Sequence, residues 1–350
     1  MKIIVVAPSW VGDAVLSQPM LTRLRERHPG LVLHVLAPTW TKPVYERMPQ
    51  VDATFEQSFV HGELALAGRY ALGRKLASER YDQAIVLPGS FKSALVSLFA
   101  GIPLRTGFIG EGRWAVLNDA RRLNARAVPL MAERYMLLAE PPGSRAPRPL
   151  VSPHLRVDDA QRTATLGKLA LEPRGRVAIL CPGAEFGPSK RWPPQYFADI
   201  AARLSRHGYE TWLVGSSKDA AAAHQIARLA GTACINLCGK TTLAEAIDLL
   251  SCASLVVAND SGLMHVAAAL DRPLVAIYGS SSPAFTPPMS ATARIAKIEL
   301  ACSPCFQRTC PVGHWNCMRQ LEPDHVWEHI DALLASQSGP AAAPVAADVH

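Results

Sequence analysis

The sequence predicts an α/β protein of two domains, each built on a parallel β-sheet. Short runs of β-branched and apolar residues alternate with amphipathic helical stretches, which is the pattern of strands joined by crossover helices. The alternation stops once, in the proline-rich segment from Pro141 to Pro153, and then starts again. With 350 residues, 49% of them hydrophobic, the chain is long enough for two such domains.

The first half has three predicted strands, at 3–7, 31–37 and 83–87, and three predicted helices, at about 14–27, 63–79 and 91–100. Strands that are connected through helices run parallel, because each crossover returns the chain to the same edge of the sheet. The prolines that follow place the domain boundary near residue 150. The predicted domains are therefore 1–150 and 151–335.

The second half repeats the alternation, with strands predicted at 176–180, 209–214, 233–237, 254–258 and 273–278. Helices are predicted at 194–206, 218–230, 242–251 and 261–270. Thr242 and Glu245 have the spacing of a capping box, which marks the start of the third of these helices. The Ala-, Pro- and Gly-rich residues 336–350 are expected to form a disordered tail.

The formal charge of +7 comes from the first half, where residues 1–150 carry 19 Lys and Arg against 12 Asp and Glu. Such an excess favours an anionic partner, such as a phosphorylated glycolipid, a membrane surface or nucleic acid, unless it is only a solvated surface. No apolar stretch is long enough for a membrane span or a signal sequence, since Pro8 ends the first run. We therefore expect a cytoplasmic protein whose eight cysteines are reduced thiols or metal ligands.

Residues 255–270 have the pattern of an anion site, with an apolar strand, a polar turn and a helix of small residues. Asp260 and Ser261 are good N-cap residues, and Gly262 lets a ligand approach the backbone. Free N–H groups and the positive end of the helix dipole favour a phosphate there. His265 lies one turn further on and either donates to that phosphate or serves only in packing.

Asp13 follows the first predicted strand, at the sheet edge where open α/β folds bind ligands. Its functional interpretation is a general base that faces a cleft between the domains. The alternative is that Asp13 only caps a helix. The turn contains one glycine, Gly12, so it does not have the three glycines of a dinucleotide-binding turn.

Two later turns in the second half also follow predicted strands. The loop 181–193 carries Lys190 and Arg191 ahead of a helix start, and either residue suits a diphosphate. Asp219 follows the strand at 209–214. It fits a ribose contact, or a carboxylate that complements the helix dipole.

Four cysteines and a histidine lie within sixteen residues, at Cys302, Cys305, Cys310, His314 and Cys317. This density can hold a tetrahedral zinc ion. The spacings match no standard pair of zinc-binding pairs, so the alternative is a reduced loop that shapes the cleft.

Five segments that span nearly the whole chain carry recognisable motifs: Ser9–Asp13, Pro88–Ala94, Pro182–Gly187 with Lys190–Pro193, Asn259–His265 and Cys302–Gln307. Together they resemble glycosyltransferase family 9, the bacterial ADP-heptose–lipopolysaccharide heptosyltransferases, with heptosyltransferase II as the nearest branch. The resemblance implies the GT-B fold, in which two Rossmann-like domains face each other across a cleft. It places the sugar nucleotide in the C-terminal domain and the acceptor in the N-terminal domain.

The resemblance also implies an inverting transfer of heptose from ADP-heptose to a glycolipid of the heptosyl-Kdo-lipid A type, with no metal or other cofactor. It implies catalytic roles for Asp13, as the base, and for Lys190. The donor contacts that it implies are Ser9, Glu185, Lys190, Asp219, Asp260, Ser261, Gly262 and His265. Lys92 corresponds to a basic position on the acceptor side. The protein is expected to bind peripherally to the cytoplasmic face of the inner membrane. Nucleic acid is not expected as a partner.

Three alternatives stay open at this point. Another branch of the family, of type I or III, would act on a different core sugar. A GT-B epimerase would convert a nucleotide sugar without any acceptor. A zinc-bearing nucleic-acid-binding protein would use the basic half and the cysteines, although no known binding module is present.

Overall fold

The structure is a computed structural model that describes residues 1–59, 62–231 and 234–338. Its first sheet contains β1 (Lys2–Val6), β2 (Val32–Pro38), β3 (Ala53–Gln57), β4 (Gln83–Val86), β5 (Leu104–Phe108) and β6 (Asp119–Arg121). The strand order is β3-β2-β1-β4-β5-β6, and each neighbouring pair is parallel. The prediction of a parallel sheet in the first half is therefore confirmed.

The second sheet contains β7 (Arg176–Cys181), β8 (Tyr209–Leu213), β9 (Cys234–Asn236), β10 (Ala253–Asn259), β11 (Leu274–Ile277) and β12 (Ala293–Ala296). Its order is β12-β11-β10-β7-β8-β9, again with parallel pairs. Both sheets thus have the strand order of a Rossmann fold. All five strands predicted for the second half are present, and their ends are shifted by at most one residue. Residue 233, where the third was predicted to begin, lies outside the described residues.

Helices cover both sheets. In the first half they are α1 (Val11–Leu16), α2 (Gln18–Arg27), α3 (Lys42–Glu46), α4 (Leu66–Leu76), α5 (Phe91–Phe99) and α6 (Met131–Ala139). In the second half they are α7 (Asp159–Lys168), α8 (Pro194–Arg206), α9 (Ala220–Ala230), α10 (Leu243–Ser251), α11 (Gly262–Ala269), α12 (Asn316–Arg319) and α13 (Pro323–Ser338). Thr242 caps α10 in a full capping box, as predicted.

Two predicted elements are wrong. The helix expected at 14–27 is two helices that meet at Ser17, whose hydroxyl donates to the carbonyl of Ala14. Pro19 has no N–H with which to continue the first helix, so the chain restarts as α2. The tail expected at 336–350 is also wrong in part, because α13 extends to Ser338. Residues 339–350 lie outside the described residues.

The strand order places four predicted segments at two matching points of the fold. In each sheet the order reverses between two central strands, β1 and β4 in the first and β7 and β10 in the second. Ligands of open α/β sheets bind at the carboxyl ends of such strands. The turn with Asp13 follows β1, the segment 88–94 follows β4, and the loop with Lys190 follows β7. The turn with Asp260 follows β10.

The predicted boundary near 150 lies between α6, which packs against α2 of the first half, and α7, which packs against α10 of the second. Among the described residues, no helix is both long and apolar enough to cross a membrane.

Candidate active site

A cavity of about 1070 Å³ lies where the two halves meet. Its walls come from turns at the carboxyl ends of strands in both sheets. All nine residues predicted to be catalytic or to contact the donor line this cavity: Ser9, Asp13, Glu185, Lys190, Asp219, Asp260, Ser261, Gly262 and His265. The cavity is large enough for a nucleotide sugar.

The halves are in direct contact at the cavity through the first turns of α1 and α11. A Cβ on Gly12 would lie 2.7 Å from Cδ2 of His265, and a Cβ on Gly262 would lie 2.7 Å from Cβ of Val11. A side chain at either glycine would push the two helices apart. Because both positions are glycine, the two helices pack closely, and Asp13 lines the same cavity as the turn with Asp260.

Asp13 lies in the first turn of α1 and is mostly shielded from solvent. Burial raises the pKa of Asp13 to about 6; the positive charge of Lys190 lowers it and the carboxylate of Asp260 raises it. Trp10, and not Asp13, occupies the N-cap position of α1. The alternative that Asp13 serves only as a cap is therefore wrong, and a carboxyl group with this pKa can accept a proton near neutral pH.

Lys190 and Asp260 form the central ion pair of the cavity. Their Nζ and Oδ2 atoms are 2.5 Å apart, and both side chains are largely buried. Ser281 donates a hydrogen bond to the same Oδ2 atom. An ammonium group has three donors, so Lys190 can keep this pair and still bind a diphosphate. Arg191, its predicted alternative, does not line the cavity.

The N-terminus of α11 keeps its backbone N–H groups free of any side-chain cap. Ser261 occupies the N-cap position with extended backbone, but its hydroxyl makes no capping hydrogen bond. Asp260, the other predicted cap residue, is turned instead toward Lys190 and Ser281. The first turn of α11 therefore has no side-chain cap, and Ser261, Gly262 and Leu263 line the cavity, which is the arrangement that binds phosphate at other helix termini.

His265 is buried beside this terminus, with 4% of its surface exposed. Burial lowers the pKa of His265 to about 4; the charge of Asp260 raises it and that of Lys190 lowers it. The imidazole is therefore neutral at pH 7, and its Nδ1 atom has no hydrogen-bond partner among the described residues. A neutral imidazole can donate one hydrogen bond to a ligand.

Asp219 and Glu185 line the cavity but are engaged elsewhere. Oδ2 of Asp219 accepts from the backbone N and the hydroxyl of Ser216, at 2.9 and 2.8 Å, in a capping box. Glu185 forms an exposed ion pair with Lys218. Asp219 therefore lies at the start of a helix, where its charge complements the dipole, and its Oδ1 atom is 3.8 Å from Nη2 of Arg191. The ribose contact stays a prediction.

Lys92, the predicted acceptor-side residue, is not among the residues that line the cavity. It lies in the first turn of α5 and is half-buried. Since β4 pairs with β1, however, the loop before α5 is next to the turn that carries Asp13. Ser9 of that turn is exposed, and its carbonyl accepts a hydrogen bond from the Trp40 indole at 2.7 Å.

Some residues that line the cavity were not among the predicted site residues. One is Ser281, which follows β11. The run of one glycine and three serines at 279–282, directly after a strand, could have indicated it. Phe186 is flanked by two cations, with Lys190 Nζ 5.0 Å and the Arg308 guanidinium 5.5 Å from its ring centre. Arg308 and Phe306 come from the cysteine-rich loop.

That loop brings its four cysteines and His314 around a small cavity of about 20 Å³. Cys302 Sγ lies 3.7 Å from His314 Nε2. Within the described residues, no group of three or more His, Cys, Asp or Glu side chains is arranged to hold a metal ion. The loop is attached to the active site, because Ser189 N donates to the carbonyl of Arg308 at 3.1 Å.

Known proteins share this sequence and fold. The profile of "Glycosyltransferase family 9 (heptosyltransferase)" matches residues 69–316. The "Lipopolysaccharide heptosyltransferase 2" of Escherichia coli is 43% identical, over 96% of this chain and 99% of that protein. The "Lipooligosaccharide heptosyltransferase 2" of Haemophilus influenzae is 40% identical, over 96% of this chain and 100% of that protein.

Among solved structures, the E. coli ADP-heptose lps heptosyltransferase II superposes with a TM-score of 0.87 and 42% identity, covering 97% of this chain and 100% of that one. This match confirms the predicted GT-B architecture. The match over nearly the full length also favours a transferase over an epimerase or a nucleic-acid-binding protein. The chain belongs to glycosyltransferase family 9, the heptosyltransferase family.

Proposed function

We propose that this protein is an inverting heptosyltransferase of type II. It transfers L-glycero-D-manno-heptose from ADP-heptose to the first heptose of the lipopolysaccharide inner core. The observation that carries the proposal is the meeting of Asp13, from the N-terminal half, with Lys190 and the α11 terminus, from the C-terminal half, in one cavity. The names and 40–43% identity of the curated relatives support type II over the other branches.

Asp13 is the general base of the proposed reaction. The acceptor hydroxyl oxygen attacks the anomeric carbon of the donor heptose while its proton passes to the Asp13 carboxylate. The bond from the anomeric carbon to the β-phosphate oxygen breaks on the opposite face, so the configuration inverts. As in inverting glycosidases, the transition state has oxocarbenium character and needs a base on one side and a stabilised leaving group on the other.

Lys190 and α11 stabilise the departing ADP. The Lys190 ammonium group and the free N–H groups after Ser261 offer positive charge and donors to the diphosphate, while His265 supplies one neutral donor. These groups are oriented before the substrate binds, so little reorganisation is needed at the transition state. Because they supply the charge stabilisation, the proposed reaction requires no metal cofactor.

In the proposed reaction, domain 1–150 binds the acceptor and domain 151–335 binds ADP-heptose. The basic excess of residues 1–150 suits a phosphorylated glycolipid of the heptosyl-Kdo-lipid A type. Such an acceptor is anchored in a bilayer. We therefore place the protein at the cytoplasmic face of the inner membrane, in peripheral contact.

The decisive experiment compares two purified acceptors, one that carries Kdo only and one that carries Kdo plus one heptose. Each is incubated with ADP-heptose, and products are followed by mass spectrometry. Growth of the heptose-bearing core alone is expected. Growth of the Kdo-only core would overturn the type II assignment in favour of type I, and turnover of donor without acceptor would indicate an epimerase instead.

A further inference from the structure

An arginine outside the cavity is buried beneath the loop that precedes α5. Arg113 has no exposed surface, and its guanidinium donates to backbone carbonyls of that loop and of the strand before it. Nη1 donates to the carbonyl of Pro88 and lies 3.5 Å from that of Ser90, and Nη2 donates to the carbonyl of Val86 at 3.2 Å. One side chain thus contacts the carbonyls of three alternate residues, 86, 88 and 90, of this backbone.

Among the described residues, the buried Nε atom of Arg113 has no hydrogen-bond partner. Burial lowers the pKa of Arg113 to about 10, so the group is still charged at neutral pH. A buried cation costs free energy. The negative charge of Glu111, which raises the pKa of Arg113, and the carbonyl contacts both offset this cost, so the side chain favours the loop conformation that provides those contacts.

Neighbouring residues are adapted to this arrangement. Gly107 of β5 lies directly against the guanidinium, and a Cβ there would overlap Nη2. Glu111 accepts a hydrogen bond from the backbone N of Phe91 at 3.0 Å, at the first turn of α5. The loop 88–92 is therefore fixed from two sides by the segment 107–113.

The fixed loop lies at the acceptor side of the proposed site. It follows β4, which pairs with β1, so it borders the turn of the base Asp13. It leads directly into the first turn of α5, which carries Lys92, the residue predicted to lie on the acceptor side. We propose that Arg113 is a positioning residue for the acceptor: it fixes the loop 88–92 so that the attacking hydroxyl is aligned with Asp13. This inference rests on the proposed heptosyl transfer.

The test compares Arg113→Met and Arg113→Lys with a matched control, Arg105→Met. Arg105 also donates to two backbone carbonyls, those of Val116 and Ile102, each at 2.7 Å, but it does not contact the loop 88–92. Steady-state kinetics are measured with both substrates varied, and ADP affinity by calorimetry. Hydrogen exchange of peptides that cover residues 88–95 reports on the loop without any catalysis.

We expect Arg113→Met to lower kcat/KM for the acceptor by roughly 10- to 100-fold, since small misplacements of substrate cost this much. ADP affinity should stay within about twofold, exchange at 88–95 should increase, and Arg113→Lys should recover part of the activity. Arg105→Met should change none of these. Equal losses in Arg113→Met and Arg105→Met, or unchanged exchange at 88–95, would overturn the inference. Wild-type protein without transferase activity would instead refute the proposed function, and the exchange measurement would still test the loop.

Discussion

Gly12 of α1 lies against the imidazole of His265 in α11, so that the two halves touch beside the proposed base. The added Cβ of Gly12→Ala would lie 2.7 Å from Cδ2 of His265, and the buried ring has little room to move. We expect α1 and Asp13 to shift and kcat to fall by roughly 100-fold, as for other misplaced catalytic groups. ADP affinity, measured by calorimetry, should change far less.

Gly167→Ala is the matched control for this substitution. Gly167 lies in α7, and a Cβ there meets no atom within 4 Å. Its kinetics should equal those of the wild type. If Gly12→Ala were equally harmless, the helices would not be held at the separation described, and the contact would lose its catalytic significance.

Asp13→Asn tests the general base directly. The substitution keeps the size of the side chain but cannot accept the proton, so kcat should fall by roughly 10²–10⁴. In the wild type, the pKa of about 6 predicts that log kcat/KM declines as the pH drops below that value, because the base becomes protonated. A flat profile between pH 5 and pH 7, or near-normal turnover of Asp13→Asn, would contradict the assignment.

The same substitution should stabilise the protein at neutral pH. The folded pKa of Asp13 is raised from 3.8 to about 6, so the unfolded chain loses this proton more readily than the folded one. The stabilising contribution is complete below pH 3.8 and disappears as the pH rises through 6. An uncharged Asn avoids that loss, and we expect a gain of about 2 kcal/mol in the free energy of unfolding at pH 7. Denaturant melts at pH 4 and pH 7 measure it; a gain of equal size at both would indicate another cause.

The sequence predicted the central strands better than the edges of the fold. β1 and β10 are buried on both faces, so their apolar runs are continuous and easy to recognise. Four strands were missed, β3, β5, β6 and β12, and three of them are edge strands. Of these, β3 and β6 are short, partly exposed and polar, and β6 consists only of Asp119–Arg121. Such edge strands are defined by pairing with a neighbour, which no local pattern records.

Some features of the candidate site could likewise be predicted from the sequence, and others could not. Asp13, Lys190 and Asp260 follow strand ends, so strand topology alone brings them to one edge of each sheet. The contact of Gly12 with His265 depends on how one half packs on the other, and no sequence period encodes that. The burial of Arg113 could not be predicted from the sequence either, because an arginine in a turn is normally exposed.

Lys190→Ala should impair both donor binding and departure of ADP. The side chain is the buried partner of Asp260, the residue directly before the N-cap of α11. Removing it leaves the Asp260 carboxylate buried with only Ser281, and we expect donor kcat/KM to fall by roughly 100-fold or more. Lys168→Ala, which removes an exposed pair with Glu245, is the control and should change neither kinetic constant. Unchanged donor KM and kcat in Lys190→Ala would exclude it from the site.

Chelation tests whether the cysteine-rich loop matters to catalysis through a metal. The proposed mechanism draws its charge stabilisation from Lys190 and α11, so activity should persist after incubation with EDTA and dialysis. Cys302→Ser should behave likewise. Loss of activity on chelation that is restored by added zinc would show that Cys302, Cys305, Cys310 and Cys317 hold a structural ion.

Asp219 can be tested by separating its two roles. Oδ2 caps the turn at Ser216, and an Asn can still accept those hydrogen bonds, whereas an Ala cannot. Asp219→Ala should therefore destabilise the protein by about 1 kcal/mol, as measured by urea denaturation, while Asp219→Asn should cost less. If Oδ1 also contacts the ribose, both variants should raise the KM for ADP-heptose several-fold. Asp158→Ala, which removes the side-chain cap of α7 outside the cavity, should lower stability and leave that KM unchanged. An unaltered donor KM in both Asp219 variants would reduce Asp219 to its capping role.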